Sequence, residues 1–227
     1  VRDHTRERLD DLTAAHPASL RDLARLNRWL GNTRGVVRAA RRAVGPGRGP
    51  LRVVDLACGA GDVGAAVVRA LRRDGYDATL HGVDGNAHTI AHARALTPDP
   101  WATFDVADVM APGAEWPDSD VLVASQFLYH FDDDALVEAL RRNLPRVRRA
   151  FVWSEVVRSP LAARWFGWVA PWLGVSADAV ADGSLAVRRG FSTSELRDLA
   201  RRATDRPTRL TRPAPFRRIV VVTGSGG

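Results

Sequence analysis

A chain of 227 residues, 45% of them hydrophobic, has room for one sizeable core and not two, and no run approaches the ~18–20 apolar residues of a membrane span. The formal net charge is +7 and all 33 basic residues are arginine. They are scattered along the chain as Arg-Arg pairs, with no zinc-finger spacing and no basic segment interleaved with aromatics, so a nucleic-acid partner is not expected.

The single cysteine, Cys58, excludes an internal disulfide framework, and the charged start VRDHTRERLDDL lacks the apolar core of a secretion signal. Together they point to a cytoplasmic protein without stable membrane insertion. Residues 8–42 read as helical: Leu20, Leu23, Leu26 and Leu30 recur at three and four, and Gly31-Asn32 bends or ends the first helix. The breaker GPGRGP at 45–50 then separates a helical cap, 1–49, from a domain over 50–227.

From there strands alternate with helices. Strands are expected at 51–56, 78–83, 101–106, 120–124 and 150–153, and helices at 62–73, 87–95 and 133–144. Such a rhythm predicts a parallel sheet covered on both faces. Residues 158–190 interrupt it as a helical insertion at the acceptor side. Ser192 and Glu195 then form a capping box for a helix through Ala203. The tail offers strands at 208–211 and 216–221 joined by RPAP, a link too short for a crossover, so this pair is antiparallel.

The first strand runs into VVDLACGAGDVG, residues 53–64, which places Gly59, Gly61 and Gly64 in a Gly-x-Gly-x-x-Gly pattern. A dinucleotide would set its pyrophosphate over the following helix end. Asp55 and Asp62 put carboxylates at that mouth, which disfavours phosphate and favours a ligand with positive groups and a free ribose diol. S-adenosylmethionine is such a ligand. Asp84, 29 residues after Asp55, can accept both ribose hydroxyls. Asp108 can accept from the adenine amino group, with the Val109 backbone completing that edge. Cys58 reads as a packing residue.

At VVDLACGAGD (53–62), GVDGN (82–86), VADVM (106–110) and DVLVASQFLYHF (120–131) the sequence resembles the class I S-adenosylmethionine-dependent methyltransferases. The resemblance covers about residues 50–227. It implies a Rossmann-like α/β fold with a seven-stranded sheet, order 3-2-1-4-5-7-6, strand 7 antiparallel. It implies Gly59 and Gly61 at the cofactor's methionine end, Asp84 at the ribose and Asp108 at the adenine, with Asp55, Ala57, Gly85 and Ser125 completing that shell. Ala57 stands where the family pattern DLGCG has glycine. DGSLAVRRGFSTSELRDLA and RPAPFRRIVVV further resemble small-molecule methyltransferases of bacterial polyketide pathways, which implies an aromatic or polyketide-like acceptor and O- or C-methylation.

On the acceptor side, the fourth strand leads into Ser125-Gln126 and then FLYHF, not into the Asn/Asp-Pro-Pro-aromatic tetrad that serves amine substrates. His130 is a candidate base for a phenol, or a donor bracing the loop. Glu155 is a second base or polar anchor, or a helix-start carboxylate. Gln126 and Tyr129 are candidate acceptor contacts, although Tyr129 equally suits packing. Trp165 and Trp168 suit a lid over an aromatic acceptor, a core stripe, or contact with a lipid surface. Arg34 pairs with the cofactor carboxylate or lies on the surface. No cluster has metal-ligand spacing, so no catalytic metal is expected. The competing readings are an NAD(P)- or FAD-dependent oxidoreductase, resting on the glycine triplet, and a non-catalytic cofactor-binding domain.

Overall fold

The structure, a computed structural model, describes residues 17–169, 172 and 174–226. The expected start of the first helix at residue 8 lies outside them. Helix α1 spans Pro17–Trp29 and α2 spans Asn32–Val44, and the break between them is Gly31, whose φ of 77° suits a residue without Cβ.

Then follow β1 (Gly49–Leu56), α3 (Asp62–Arg73), β2 (Tyr76–Asp84), α4 (Ala87–Leu96), β3 (Ala102–Val106) and β4 (Ser119–Ser125). The second half holds α5 (Asp133–Asn143), β5 (Val147–Val156), α6 (Pro160–Val169), α7 (Ala177–Arg189), α8 (Thr193–Ala203), β6 (Thr208–Ala214) and β7 (Arg217–Thr223). Short 3-10 turns sit at Leu128–His130 and Leu144–Arg146. Among the described residues no helix is long and apolar enough to cross a membrane.

The strands form one sheet in the order β3-β2-β1-β4-β5-β7-β6. β1 pairs parallel with β2 and β4, β5 is parallel to β4, and β7 is antiparallel to both β5 and β6. The expected sheet order and the reversed last strand are therefore present. The final hairpin is tighter than the sequence suggested. β6 continues to Ala214, which pairs with Arg217, so Pro215 and Phe216 alone make the turn. The register shifts between Thr211 and Ala214, because Pro213 has no N–H to give the ladder.

Successive strand residues face opposite layers, as a sheet buried on both sides requires. Val53, Val121 and Val152 pack with Val67 and Leu71 of α3 and with Val36 and Ala40 of α2. Their neighbours Val54, Leu122 and Phe151 pack with Leu136 and Leu140 of α5 and Leu196 and Leu199 of α8. Each such aliphatic side chain, fully buried, contributes about 1.5–3 kcal/mol. Helix α2 is thus part of the sheet's covering layer. Helix α1 packs against α6 and α7 through Leu26, Phe166 and Val180. The capping box opens α8 as expected: Glu195 N donates to Ser192 Oγ at 3.2 Å and Ser192 N donates to Glu195 Oε2 at 2.7 Å.

Candidate functional site

The carboxyl ends of β1, β2 and β4 converge where the strand order reverses, the place where open α/β sheets form their ligand crevice. The loop from β1 into α3 holds three consecutive odd positions in left-handed backbone: Ala57 (φ 50°), Gly59 (54°) and Gly61 (73°). At Gly61 a Cβ would lie 2.7 Å from the Phe104 ring, so the residue must be glycine on steric as well as torsional grounds. Ala57 adopts the same region with a Cβ, a strain of about 1–2 kcal/mol.

Asp55 does not face the crevice. It is 2% exposed, and its Oδ2 accepts the Gly64 N–H at 2.9 Å. Burial, then the nearby Asp62, push its carboxyl up to about 8, against the pull of the Gly64 N–H. Near neutral pH it is mostly protonated, so the expected repulsion of phosphate by Asp55 does not hold, and its part is to tie the loop to the strand. The same hydrogen bond occupies an amide of the α3 amino end that a pyrophosphate would use. Asp62, opening α3, is also raised by burial and accepts from Asn27 Nδ2 at 3.5 Å. Cys58 is buried with its thiol pushed well up by burial, as a packing residue would be.

Asp84 ends β2 half-buried at the crevice. Its Oδ2 accepts the Gly59 N–H at 3.1 Å and its Oδ1 accepts the Asn86 N–H at 2.9 Å. The carboxylate therefore bridges two loops while each oxygen keeps lone-pair capacity for a diol. Gly85 lies between these anchors, half-buried. Asp108 is exposed after β3, and its Oδ1 accepts the Met110 N–H at 2.9 Å. Val109 beside it is buried, and its carbonyl is held by Trp116 Nε1 at 3.1 Å. Asn143 in turn accepts the Trp116 N–H at 2.7 Å. Neither Trp116 nor Asn143 was singled out from sequence, since both act from the far end of a loop or helix.

A buried polar network joins α1, α2 and the tips of β4 and β5. Asn32, fully buried, donates to Ser125 Oγ at 2.8 Å and to Asn27 Oδ1 at 3.0 Å, and accepts from Ser154 Oγ at 2.7 Å. Gln126, at φ 56°, donates to Asn27 at 2.6 Å and accepts from Arg217 at 3.2 Å. Ser125 and Gln126, at the end of β4, are thus held by Asn27, Asn32 and Arg217. Arg34, in contrast, is exposed on the first turn of α2 and has no ion pair among the described residues.

On the acceptor side the surroundings of three candidates are defined. Glu155 is fully buried: its Oε1 accepts the Leu128 N–H at 3.0 Å and Trp153 Nε1 at 2.9 Å. Burial pushes its carboxyl up to about 7. Because both donors belong to the protein's own loop and strand, it braces the turn after β4 and has no surface from which to act as base. Tyr129 is 3% exposed under Arg189, whose guanidinium carbon lies 5.3 Å from the ring, so it packs and offers no wall.

His130 stacks on Tyr129 at 4.4 Å and its Nδ1 lies 2.9 Å from Arg189 Nη2. A guanidinium only donates, so Nδ1 accepts and the neutral ring carries its proton on Nε2. A base needs an open nitrogen lone pair toward the substrate, and the Nδ1 lone pair is taken by Arg189. His130 braces the turn after β4 in this geometry.

The tryptophan segment is not core. Helix α6 buries Ala162 and Phe166, while Leu161, Trp165 and Trp168 share the opposite face, Trp168 at 83% exposure. Trp165 lies 5.7 Å from the Phe216 ring. Trp172 (88%) and Trp29 (69%) are also exposed.

Residues 53–149 match the family model described as a methyltransferase domain. No curated protein matches the chain in sequence. Among solved structures, human N-acetylserotonin methyltransferase in complex with SAM superposes with a TM-score of 0.64 at 14% identity, covering 90% of this chain and 54% of that one. The plantazolicin methyltransferase in complex with SAH gives 0.65 at 14% identity, covering 92% and 95%. The methyltransferase domain of the citrinin polyketide synthase gives 0.58 at 15% identity, covering 78% and 47%. The chain thus spans about half the length of the first and third of these structures. Residues 53–149 thus resemble a methyltransferase domain, and the chain shares the fold of these structures.

Proposed function

We propose that the protein transfers a methyl group from S-adenosylmethionine to a small acceptor, by O- or C-methylation. The observation that carries the reading is Asp84. Its carboxylate stands at the tip of β2, tied to the glycine loop through Gly59, with both oxygens oriented by backbone N–H groups. That pair of acceptor oxygens suits a ribose diol. The exposed Asp108 and the Val109 backbone suit an adenine edge, and the left-handed loop at Gly59 and Gly61 suits the amino-acid end.

S-adenosylmethionine supplies an electrophilic methyl on a sulfonium. The chain's own residues position the two reactants, so proximity and alignment are the main source of rate. Gln126 orients the acceptor rim beside Ser125 of the cofactor shell, and His130, its Nδ1 engaged by Arg189, braces the turn that carries them. The protein structures matched above include a polyketide synthase methyltransferase domain. With the sequence likeness over 182–200, this supports an aromatic or polyketide-like acceptor.

Calorimetry against S-adenosylhomocysteine and NAD tests the reading. Saturable binding of the first with none of the second is expected. Tight NAD binding alone would overturn the cofactor and the function with it. Incubation with labelled S-adenosylmethionine and a panel of phenols and enolisable polyketides then tests the acceptor class.

A further inference from the structure

Away from the crevice, a groove runs along the seam between α2 and the last two strands. It encloses about 440 Å³ and is lined by Arg38, Arg42, Arg149, Arg209 and Arg212. Among the described residues no aspartate or glutamate lines it. None of the five arginines has an ion-pair partner among the described residues, although Arg41 on the same helix reaches Asp74 at 2.6 Å. Arg149 is half-buried and its guanidinium carbon stands 6.0 Å from the Tyr76 ring, which limits its freedom to swing into solvent. At the other end Arg212 adds to a positive field that also reaches Arg218, whose charge burial and then Arg212 disfavour.

The groove's shape is built into the fold. Gly35, Arg38, Ala39, Arg42 and Ala43 recur at three and four along one face of α2. A Cβ on Gly35 would lie 2.8 Å from Pro213 Cβ, so a bare backbone there lets the helix approach the bulged strand β6 closely. From residue 35 to 43 the helix rises about 12 Å. Thr208, Thr211 and Thr223 add hydroxyl groups from the sheet side.

We propose that this groove is a second ligand site, for a small compound bearing a di- or triphosphate. Guanidinium forks match phosphate oxygens bidentately. The volume is that of a small-molecule site, which commonly spans about 300–1,000 Å³. Uncompensated like charges converging on one concavity are relieved by an anion of that length. The inference is independent of the methyl-transfer reading, because no groove residue belongs to the crevice.

Titration of the full chain with sodium tripolyphosphate, at low salt and followed by calorimetry, tests it. One saturable site is expected, about tenfold or more tighter than for monophosphate. The pair Arg42→Gln/Arg209→Gln should weaken it by about tenfold or more, each loss removing a charged contact. The pair Arg73→Gln/Arg201→Gln removes the same net charge elsewhere and should leave it within about twofold. Melting curves of both pairs confirm folding, since all four side chains are exposed. No saturable binding, or equal weakening in both pairs, overturns the site. Tighter binding to a short DNA duplex than to tripolyphosphate overturns it in favour of a nucleic-acid surface.

Discussion

Asp55 and Gly64 hold each other in place: the carboxyl oxygen that accepts the Gly64 N–H at 2.9 Å would lie 2.7 Å from any Cβ placed on that glycine. The third glycine of the loop pattern is there to admit a buried acid, and the acid is there to dock the helix start. Its proton makes the arrangement sensitive to pH. With its carboxyl raised from 3.8 to about 8, the folded protein keeps a proton that the unfolded chain releases. Stability from this group is full below the unfolded value and falls as pH rises toward about 8. Urea denaturation across that window should show the decline, and Asp55→Asn should flatten it. Glu155, raised from 4.5 to about 7, adds a slope of the same sign that Glu155→Gln should remove. A pH-independent wild type would contradict both.

Asp84→Ala should weaken S-adenosylhomocysteine by about 10- to 150-fold, the equivalent of losing one charged hydrogen-bonding partner. Asp84→Asn retains one acceptor oxygen and should fall between. Calorimetry on the three proteins decides it, and an unchanged dissociation constant in the alanine variant would place the residue outside the pocket.

His130→Gln should change the transfer rate by less than about tenfold and leave the pH–rate profile in shape, because Nδ1 is already engaged by Arg189. A loss of about 10²–10⁴-fold together with a missing acid limb would instead restore His130 as the base.

Ala57→Gly should stabilise the protein. The left-handed φ of 50° strains an alanine and not a glycine, a difference of about 1–2 kcal/mol. For a chain of this size each kcal/mol raises Tm by about 2–4 °C. Part of the gain is offset by the greater freedom of the unfolded glycine. A lowered Tm would show that the alanine methyl packs usefully against the adjoining core.

Asn32→Ala should lower Tm and loosen the rim. It strips partners from Asn27, Ser125 and Ser154 at once, and each buried group left unpaired costs about 1–3 kcal/mol. Hydrogen exchange of the amides at 125–126 should rise in the variant while those of β2 stay protected.

Strands and helices were legible because their apolar spacing repeats locally. α3 begins and ends where its stripe of Val63, Val67 and Leu71 does, and the capping box at Ser192 lies within four residues. What escaped depends on distance along the chain. Asn32 meets Ser125 across 93 positions, and nothing near either residue encodes that meeting. The direction of a side chain was also hidden. Asp55 is compatible in sequence with a crevice carboxylate, and only the close pass of Gly64 turns it inward. In α6 both helical faces are apolar, so the spacing of Trp165 and Trp168 could not reveal that Ala162 and Phe166 take the core. The arginine groove failed to stand out because its members come from α2, β5 and β6, each unremarkable in its own segment.

The outward set of tryptophans splits the chain's fluorescence between water-exposed and buried emitters, with Trp101 and Trp165 in between. Trp29, Trp168 and Trp172 sit in water, and Trp116 and Trp153 are each 1% exposed. Native emission is therefore red-shifted in part, and iodide quenches one fraction while leaving the other bright. Unfolding moves chiefly the buried pair toward longer wavelength, with a smaller part from half-buried Trp101. A thermal melt read by total intensity would thus understate cooperativity, whereas the iodide-resistant component reports the packing of β5 and of the loop that carries Val109.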